Sequence, residues 1–274
     1  MDVFTLEQGR LPLLLSLPHD GVMLPPELVP RLRPHARAVP DTDWHVARLY
    51  GFARRLGASI LRPRWSRYVI DLNRPPDDQD LYPGRSSTGL CPTRSFDGQP
   101  LYLPGEEPCA EEVAERIERY WMPYHLALRE ELDRLRGLHG HVLLWEGHSI
   151  RSELPWLFQG RLPDLNLGTA DGRSCSPAVE QRIVGACAGQ GTYSWILNGR
   201  FKGGYITRHY ADPEGGVDAV QLELAQCTYM DEASTAWDGE RAARLQPVLA
   251  SLIEAALGRP PRMARRLAAR LGNL

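Results

Sequence analysis

No Cys-x-x-Cys pair occurs among the five cysteines, Cys91, Cys109, Cys175, Cys187 and Cys227, and their number is odd. That argues against a disulfide framework and against a thiolate metal site, and it fits a reducing compartment. Nor is there an excess of basic charge: 32 Lys and Arg stand against 34 Asp and Glu, for a formal net charge of -2. A nucleic-acid partner is not indicated, although a local cationic pocket is compatible with this balance. The opening segment, MDVFTLEQGRLP, lacks a basic stretch followed by a long apolar one, so no secretory signal is expected. The apolar run Leu11–Leu17 is far too short to span a bilayer. A cytoplasmic protein with no membrane partner is the default expectation. Internal repeats are also lacking.

What is present is the composition of a soluble globular chain: 274 residues, 43% apolar and 24% charged. A domain of this length buries roughly three quarters of its unfolded surface, enough for a large core without staples. Short apolar runs alternate with longer amphipathic segments. Leu11–Leu17, Ala58–Leu61, Tyr68–Leu72, His141–Trp145, Tyr193–Leu197 and Val217–Leu224 read as strands. Helices are expected after a cap at Asp41 or Thr42, over Glu111–Leu138, Pro177–Gly189 and Asp238–Leu257. Pro123 should kink or break the second of these, because proline removes a donor and clashes with the preceding turn. A region rich in Pro, Gly, Ser and Asp, about 75–108, is too long for a simple connection and is a candidate active-site loop or lid. The arginine-rich end, RMARRLAARLGNL, reads as a solvated part of a helical tail over about 238–274. The whole chain is expected to be one α/β domain with helices on both faces of a sheet. In such folds ligands gather outside the carboxyl ends of the strands.

The unusual polar residues fall where the apolar runs end. His19 stands beside the turn Asp20-Gly21 and either reaches a pocket or bonds to backbone. Glu146 and His148, two apart after the run Val142–Trp145, project to one side of an extended backbone. Burying such a couple is costly unless it is paired or metal-bound. In Asp41-Thr42-Asp43-Trp44-His45, each aspartate is either a helix cap or first-turn carboxylate, or a metal ligand. Two histidines, one carboxylate and an open position form a recurring catalytic zinc set. Arg67, Asn73 and Arg74 offer a planar fork and a neutral donor suited to a carboxylate, unless they only solvate a strand end. Gln221 and Glu223 alternate with Leu222 and Leu224, so a polar face there makes Glu223 a candidate general base or else a surface residue. In the glycine-bearing string Phe201–Arg208, Lys202 and Arg208 add positive charge.

Taken in order, PHDG, DTDWHVARLY, SRYVIDLNRP, the His-Ser-Ile after a strand, LNGRFKGGYITRHY and QLELAQCTYM resemble the N-formylglutamate amidohydrolases of histidine degradation. The resemblance runs from about Leu11 to Met230. It implies a zinc-carboxypeptidase-like fold, a single mixed, mostly parallel sheet flanked by helices on both faces, shared with the aspartoacylase group, and hydrolysis of N-formyl-L-glutamate to L-glutamate and formate. One divalent metal, Zn2+ by preference, is implied, with His19 and His148 as first and last ligands. The usual His-x-x-Glu is absent, since Val22 stands three residues after His19. Asp43 is assigned the middle position, with Asp41 and Glu146 as alternatives. Glu223 matches the general base. Arg67, Asn73 and Arg74 match residues that hold substrate carboxylates, and Arg151, Lys202 and Arg208 are further candidates. Glu146 or Asp20 is expected to accept from the outer ring nitrogen of a ligand histidine. Rival readings are another N-acyl amino acid or short peptide as substrate, and a non-catalytic binding protein for acidic amino acids. The expected partner is a small molecule; oligomeric state is not indicated.

Overall fold

The computed structural model of the chain describes residues 2–79 and 88–259. Residues 80–87 of the expected lid and the arginine-rich end therefore lie outside the described residues. Seven strands form one sheet: β1 (Phe4–Glu7), β2 (Leu13–Ser16), β3 (Ser59–Pro63), β4 (Val142–Ile150), β5 (Leu165–Gly168), β6 (Trp195–Leu197) and β7 (Val217–Ala225). Their spatial order is β1-β3-β2-β4-β7-β5-β6. The four strands β3, β2, β4 and β7 run parallel, β1 and β5 are antiparallel to their inner neighbours, and β6 is parallel to β5. The helices are α1 (Val46–Leu49), α2 (Phe52–Leu56), α3 (Ala110–Arg116), α4 (Met122–His139), α5 (Pro177–Gln190), α6 (Tyr205–Tyr210) and α7 (Gly239–Ala256). Among them, none is long and apolar enough to cross a membrane.

Side chains alternate across a strand, so each central strand feeds two cores. Leu13, Leu15, Leu143, Trp145, Val220 and Leu222 pack with α1, α2, α5 and α7. Leu14, Val142, Leu144, Val217 and Ala219 pack on the other face with α4. Each such buried aliphatic side chain contributes about 1.5–3 kcal/mol. Continuing the second parity toward the carboxyl ends gives Glu146 and His148 on β4 and Gln221 and Glu223 on β7. This face therefore changes from apolar to polar within one strand length. The register sets Glu146 opposite Gln221 and His148 opposite Glu223. The expected strand His141–Trp145 thus extends to Ile150 and carries its polar residues inside the sheet.

Three expectations change. Tyr68–Leu72 is a buried series of turns, not a strand. Val69 N donates to Ser66 O and Arg74 N to Asp71 O, while the side chains of Ser66 and Asp71 accept from the backbone two residues on. Such local bonds compete with ladder pairing. The helix after Asp41 begins only at Val46, because His45 adopts a left-handed conformation with φ 62°. Neither Asp41 nor Asp43 caps it; the N–H of Ala47 donates to Asp20 instead. Pro123 does not break its helix. A π-helical turn, Ile117–Trp121, precedes α4, with Met122 N donating to Ile117 O, and the proline falls in α4's first turn. The fixed φ of proline suits that first turn, and the change of bonding pattern from π to α helix accommodates its missing donor. The segments 75–79 and 88–108 carry no helix or strand, only turns and, in the second, isolated bridges.

Candidate active site

The carboxyl ends of β2, β4 and β7 open into a cavity of about 110 Å³. Into it the sequence delivers His19 just beyond β2, His148 from β4 and Glu223 from β7, with Asp43 from the loop before α1. The Asp43 amide donates to His19 O, which fixes the two loops against each other. Nδ1 of His19, Nδ1 of His148 and Oδ2 of Asp43 converge. His148 Nδ1 lies 3.0 Å and His19 Nδ1 3.8 Å from that oxygen, and one ligand atom from each of the three residues falls within 4.8 Å of the others. All three residues are buried.

The far nitrogen of each ring is already held. His19 Nε2 lies 2.7 Å from Asp71 Oδ1, and His148 Nε2 lies 2.7 Å from Glu146 Oε1. Asn73 Nδ2 is 3.1 Å from the same His148 nitrogen, but Asn73 Oδ1 accepts from Ile206 N, which fixes the amide with its NH2 toward the ring. We therefore place the His148 proton on Nε2, donating to Glu146, and treat the Asn73 approach as a contact. Both Nδ1 lone pairs then face Asp43.

These residues fit a divalent cation. His19 Nδ1 is buried without a hydrogen-bond partner among the described residues. A tetrahedral ion with bonds of about 2.1 Å sets its ligand atoms roughly 3.4 Å apart, and the gaps of 3.0 and 3.8 Å bracket that value. The protonation pattern agrees. Burial, then the Arg67 charge, lowers the His19 pKa, which leaves a neutral ring with a lone pair. At His148, burial works against charge, yet Glu146 and Asp43 outweigh it and raise the pKa well above the ordinary value. A positive charge is thus favoured between His148 and Asp43, and a metal ion in that place would supply it.

Around this cluster the charges are paired with care. Against the burial that would raise it, Arg67 and His19 hold Asp71 well below the usual carboxylate range. Arg67 Nη2 donates to Asp71 at 2.6 Å, its Nη1 is 4.0 Å from Asp43, and its guanidinium lies over the Phe96 ring. Glu223 is 8% exposed, and its carboxylate has no hydrogen-bond partner among the described residues. Burial, with Asp43 next in the same direction and His148 opposing, pushes its pKa up to about 8. A desolvated carboxylate facing the cavity beside a candidate ligand suits proton transfer.

Of the residues singled out in the sequence, His19, Asp43, Arg67, Asn73, Arg74, His148 and Glu223 all line the cavity. Arg151, Lys202 and Arg208 do not; they engage Asp97, Asp171 and the carbonyl of Gly203. The alternative ligand Asp41 accepts from Tyr68 Oη and Phe96 N on Oδ2 and does not converge with the two rings, and Glu146 is engaged by His148 and Thr207. Asp20 binds Arg62 rather than a ligand histidine, and Asp71 takes that place at His19. Sequence reasoning passed over Arg200, which lines the cavity beside Phe201. Its signal was its place in LNGRFKGG, two residues before the lysine that was chosen.

Comparison with known proteins places the chain in two steps. As to fold, a crystal structure of N-formylglutamate amidohydrolase from Ralstonia eutropha JMP134 superposes with a TM-score of 0.78 at 27% identity, covering 93% of this chain and 97% of that one. A gene product of Agrobacterium tumefaciens shares the fold with a TM-score of 0.67 at 18% identity, covering 93% of this chain and 96% of that one. As to family, residues 11–230 match the N-formylglutamate amidohydrolase family model, and the chain belongs to that family. Two curated relatives are named N-formylglutamate deformylase. The one from Pseudomonas aeruginosa is 53% identical over 93% of this chain and 96% of its own length. The one from Pseudomonas putida is 52% identical with the same coverage.

Proposed function

We propose that this chain hydrolyses N-formyl-L-glutamate to L-glutamate and formate, with one divalent metal, zinc by preference, held by His19, Asp43 and His148. The observation that carries the metal is the convergence of three buried ligand atoms with one ring nitrogen left partnerless. The substrate is supported by the names of the relatives and by the cationic wall of the cavity. When bound, zinc supplies Lewis acidity and brings the pKa of a water from about 15.7 toward 7.

The protein's own groups do the rest. Glu223, whose carboxylate lines the cavity beside His148, takes the proton from the attacking water and returns it to the departing amine. Arg67, fixed by Asp71 beside the ligand cluster, directs its remaining N–H donors to the oxygen on which negative charge grows. Arg74 is half-buried in the cavity wall and receives a substrate carboxylate, and the Asn73 side chain also lines the cavity. All five cysteines are free thiols, which supports a cytoplasmic setting.

Formate release from N-formyl-L-glutamate by the wild type and by His148→Ala tests the reading. The expected outcome is loss of several kcal/mol of barrier lowering, about 1,000-fold or more in rate, with the fold retained. Unchanged turnover in the variant ends the metal assignment. Comparable kcat/KM for N-acetyl-L-glutamate would remove the formyl specificity, and wild-type protein that takes up no zinc would favour a binding protein.

A further inference from the structure

Glu146 is 0% exposed, in the middle of the sheet, and a carboxylate so placed must be fully hydrogen-bonded. One oxygen accepts from His148 Nε2 at 2.7 Å. The other accepts twice from a single residue, from Thr207 N at 3.1 Å and from the Thr207 hydroxyl. Thr207 is itself 0% exposed and lies on α6, behind the cavity lining and not part of it. Its approach depends on the turn before α6. A Cβ at Gly204 would lie 2.3 Å from the Asn73 amide, and Gly203 sits at φ 110°. The same turn donates Gly204 N to Gln221 and Ile206 N to Asn73. The glycine string thus presses α6 onto the back of the ligand cluster, and it delivers a threonine rather than a cation.

We propose that Thr207 is a positioning residue for the metal ligand His148, acting through Glu146. With both lone-pair directions of one Glu146 oxygen engaged by Thr207, the carboxylate has one orientation, and the other oxygen meets His148 Nε2–H squarely. The ring is then set with Nδ1 toward Asp43. This inference rests on the metal reading proposed above. Partners in the second layer around a metal govern about 10- to 100-fold of its affinity.

Zinc affinity, measured by competition with a chelating dye, tests it in the full-length wild type, Thr207→Val, Thr207→Ser and Glu146→Gln. Thr207→Val keeps the shape and the backbone N–H but loses the hydroxyl; we expect about 10-fold weaker zinc binding. Thr207→Ser should restore affinity to within roughly twofold of wild type, and Glu146→Gln should weaken it at least as much as the valine variant. The visible ligand-field spectrum of the cobalt(II)-loaded protein should shift in the valine variant and return in the serine variant. A valine variant that melts earlier but binds zinc as tightly as wild type, with an unchanged cobalt spectrum, would make Thr207 structural only and overturn the proposal. Wild-type protein that binds no zinc would instead bring down the metal reading, and this inference with it.

Discussion

The two faces of the central strands begin alike and end differently. On the face toward α5 and α7, Leu143 and Trp145 keep β4 apolar until Ser149 near its end, and Val220, Leu222 and Leu224 keep β7 apolar throughout its second half. On the face toward α4, Leu144 and Ala219 give way to Glu146, His148, Gln221 and Glu223 after a single step of two residues. Both sets are buried, so the difference is not exposure but whether each group finds a partner. The apolar face is stabilised by area removed from water. The polar face is tolerated because its carboxylates and rings interlock, and the atoms left over, His19 Nδ1 and the Glu223 carboxylate, face the cavity. One strand pair thus supplies stability with one parity and chemistry with the other.

Substitutions at neighbouring positions can separate the two roles. The largest effect is expected at Glu223→Gln, which keeps shape but removes the base: kcat should fall by about 10²–10⁴-fold with zinc content and melting temperature little changed. A fall in zinc content matching the fall in kcat would make Glu223 a ligand instead. Next comes Leu222→Ala, one residue away and pointing to the dry face. It should cost about 2–5 kcal/mol in denaturant unfolding while kcat of the folded protein stays within a few-fold of wild type. Loss of activity without loss of stability would contradict the division of labour between the faces.

A third test concerns a polar residue on the α4 side that is no part of the site. His125 bonds Leu72 O and Tyr210 Oη, and burial pushes its pKa down to about 3. The unfolded chain takes up this proton below about pH 6.5 while the fold refuses it down to about 3, so the associated stability is complete above 6.5 and is lost as pH falls. Between pH 6.5 and 5 the loss should be about 1.6 kcal/mol. A His125→Gln variant with the same slope would place the titration elsewhere. The smallest effect is expected for Lys202→Ala. The ammonium is held by Asp171 at 2.9 Å, outside the cavity lining, so KM should stay within about twofold. A large rise in KM would return Lys202 to substrate binding.

Much of this was legible because period-two alternation and short apolar runs are properties of sequence. β2, β4 and β7, and the placing of His19, His148 and Glu223 where those runs end, follow from pattern alone. Local competition was not legible. Tyr68–Leu72 has strand composition, yet Ser66 and Asp71 bond to nearby backbone and fold it into turns. Pro123 looked like a breaker, and the π turn before it absorbed the missing donor. Choosing among carboxylates needed distances: only Asp43 meets both rings, while Asp41 and Glu146 are used elsewhere. Choosing among cations needed to know which way a loop turns, which separates Arg200 from Lys202 although they are two residues apart.

The strand order has a consequence for how the protein comes into being. Every candidate ligand is present once residue 148 has been made, but β4 takes its second neighbour only from residues 217–225. A chain emerging from the ribosome in that interval carries a complete ligand set on an open sheet edge, and such edges recruit other strands. Docking of β7 closes that edge and brings Glu223, the proposed general base, in the same movement. Metal binding at the proposed ligands can thus precede the arrival of the proposed base, and the last central strand to be translated covers the exposed edge of β4.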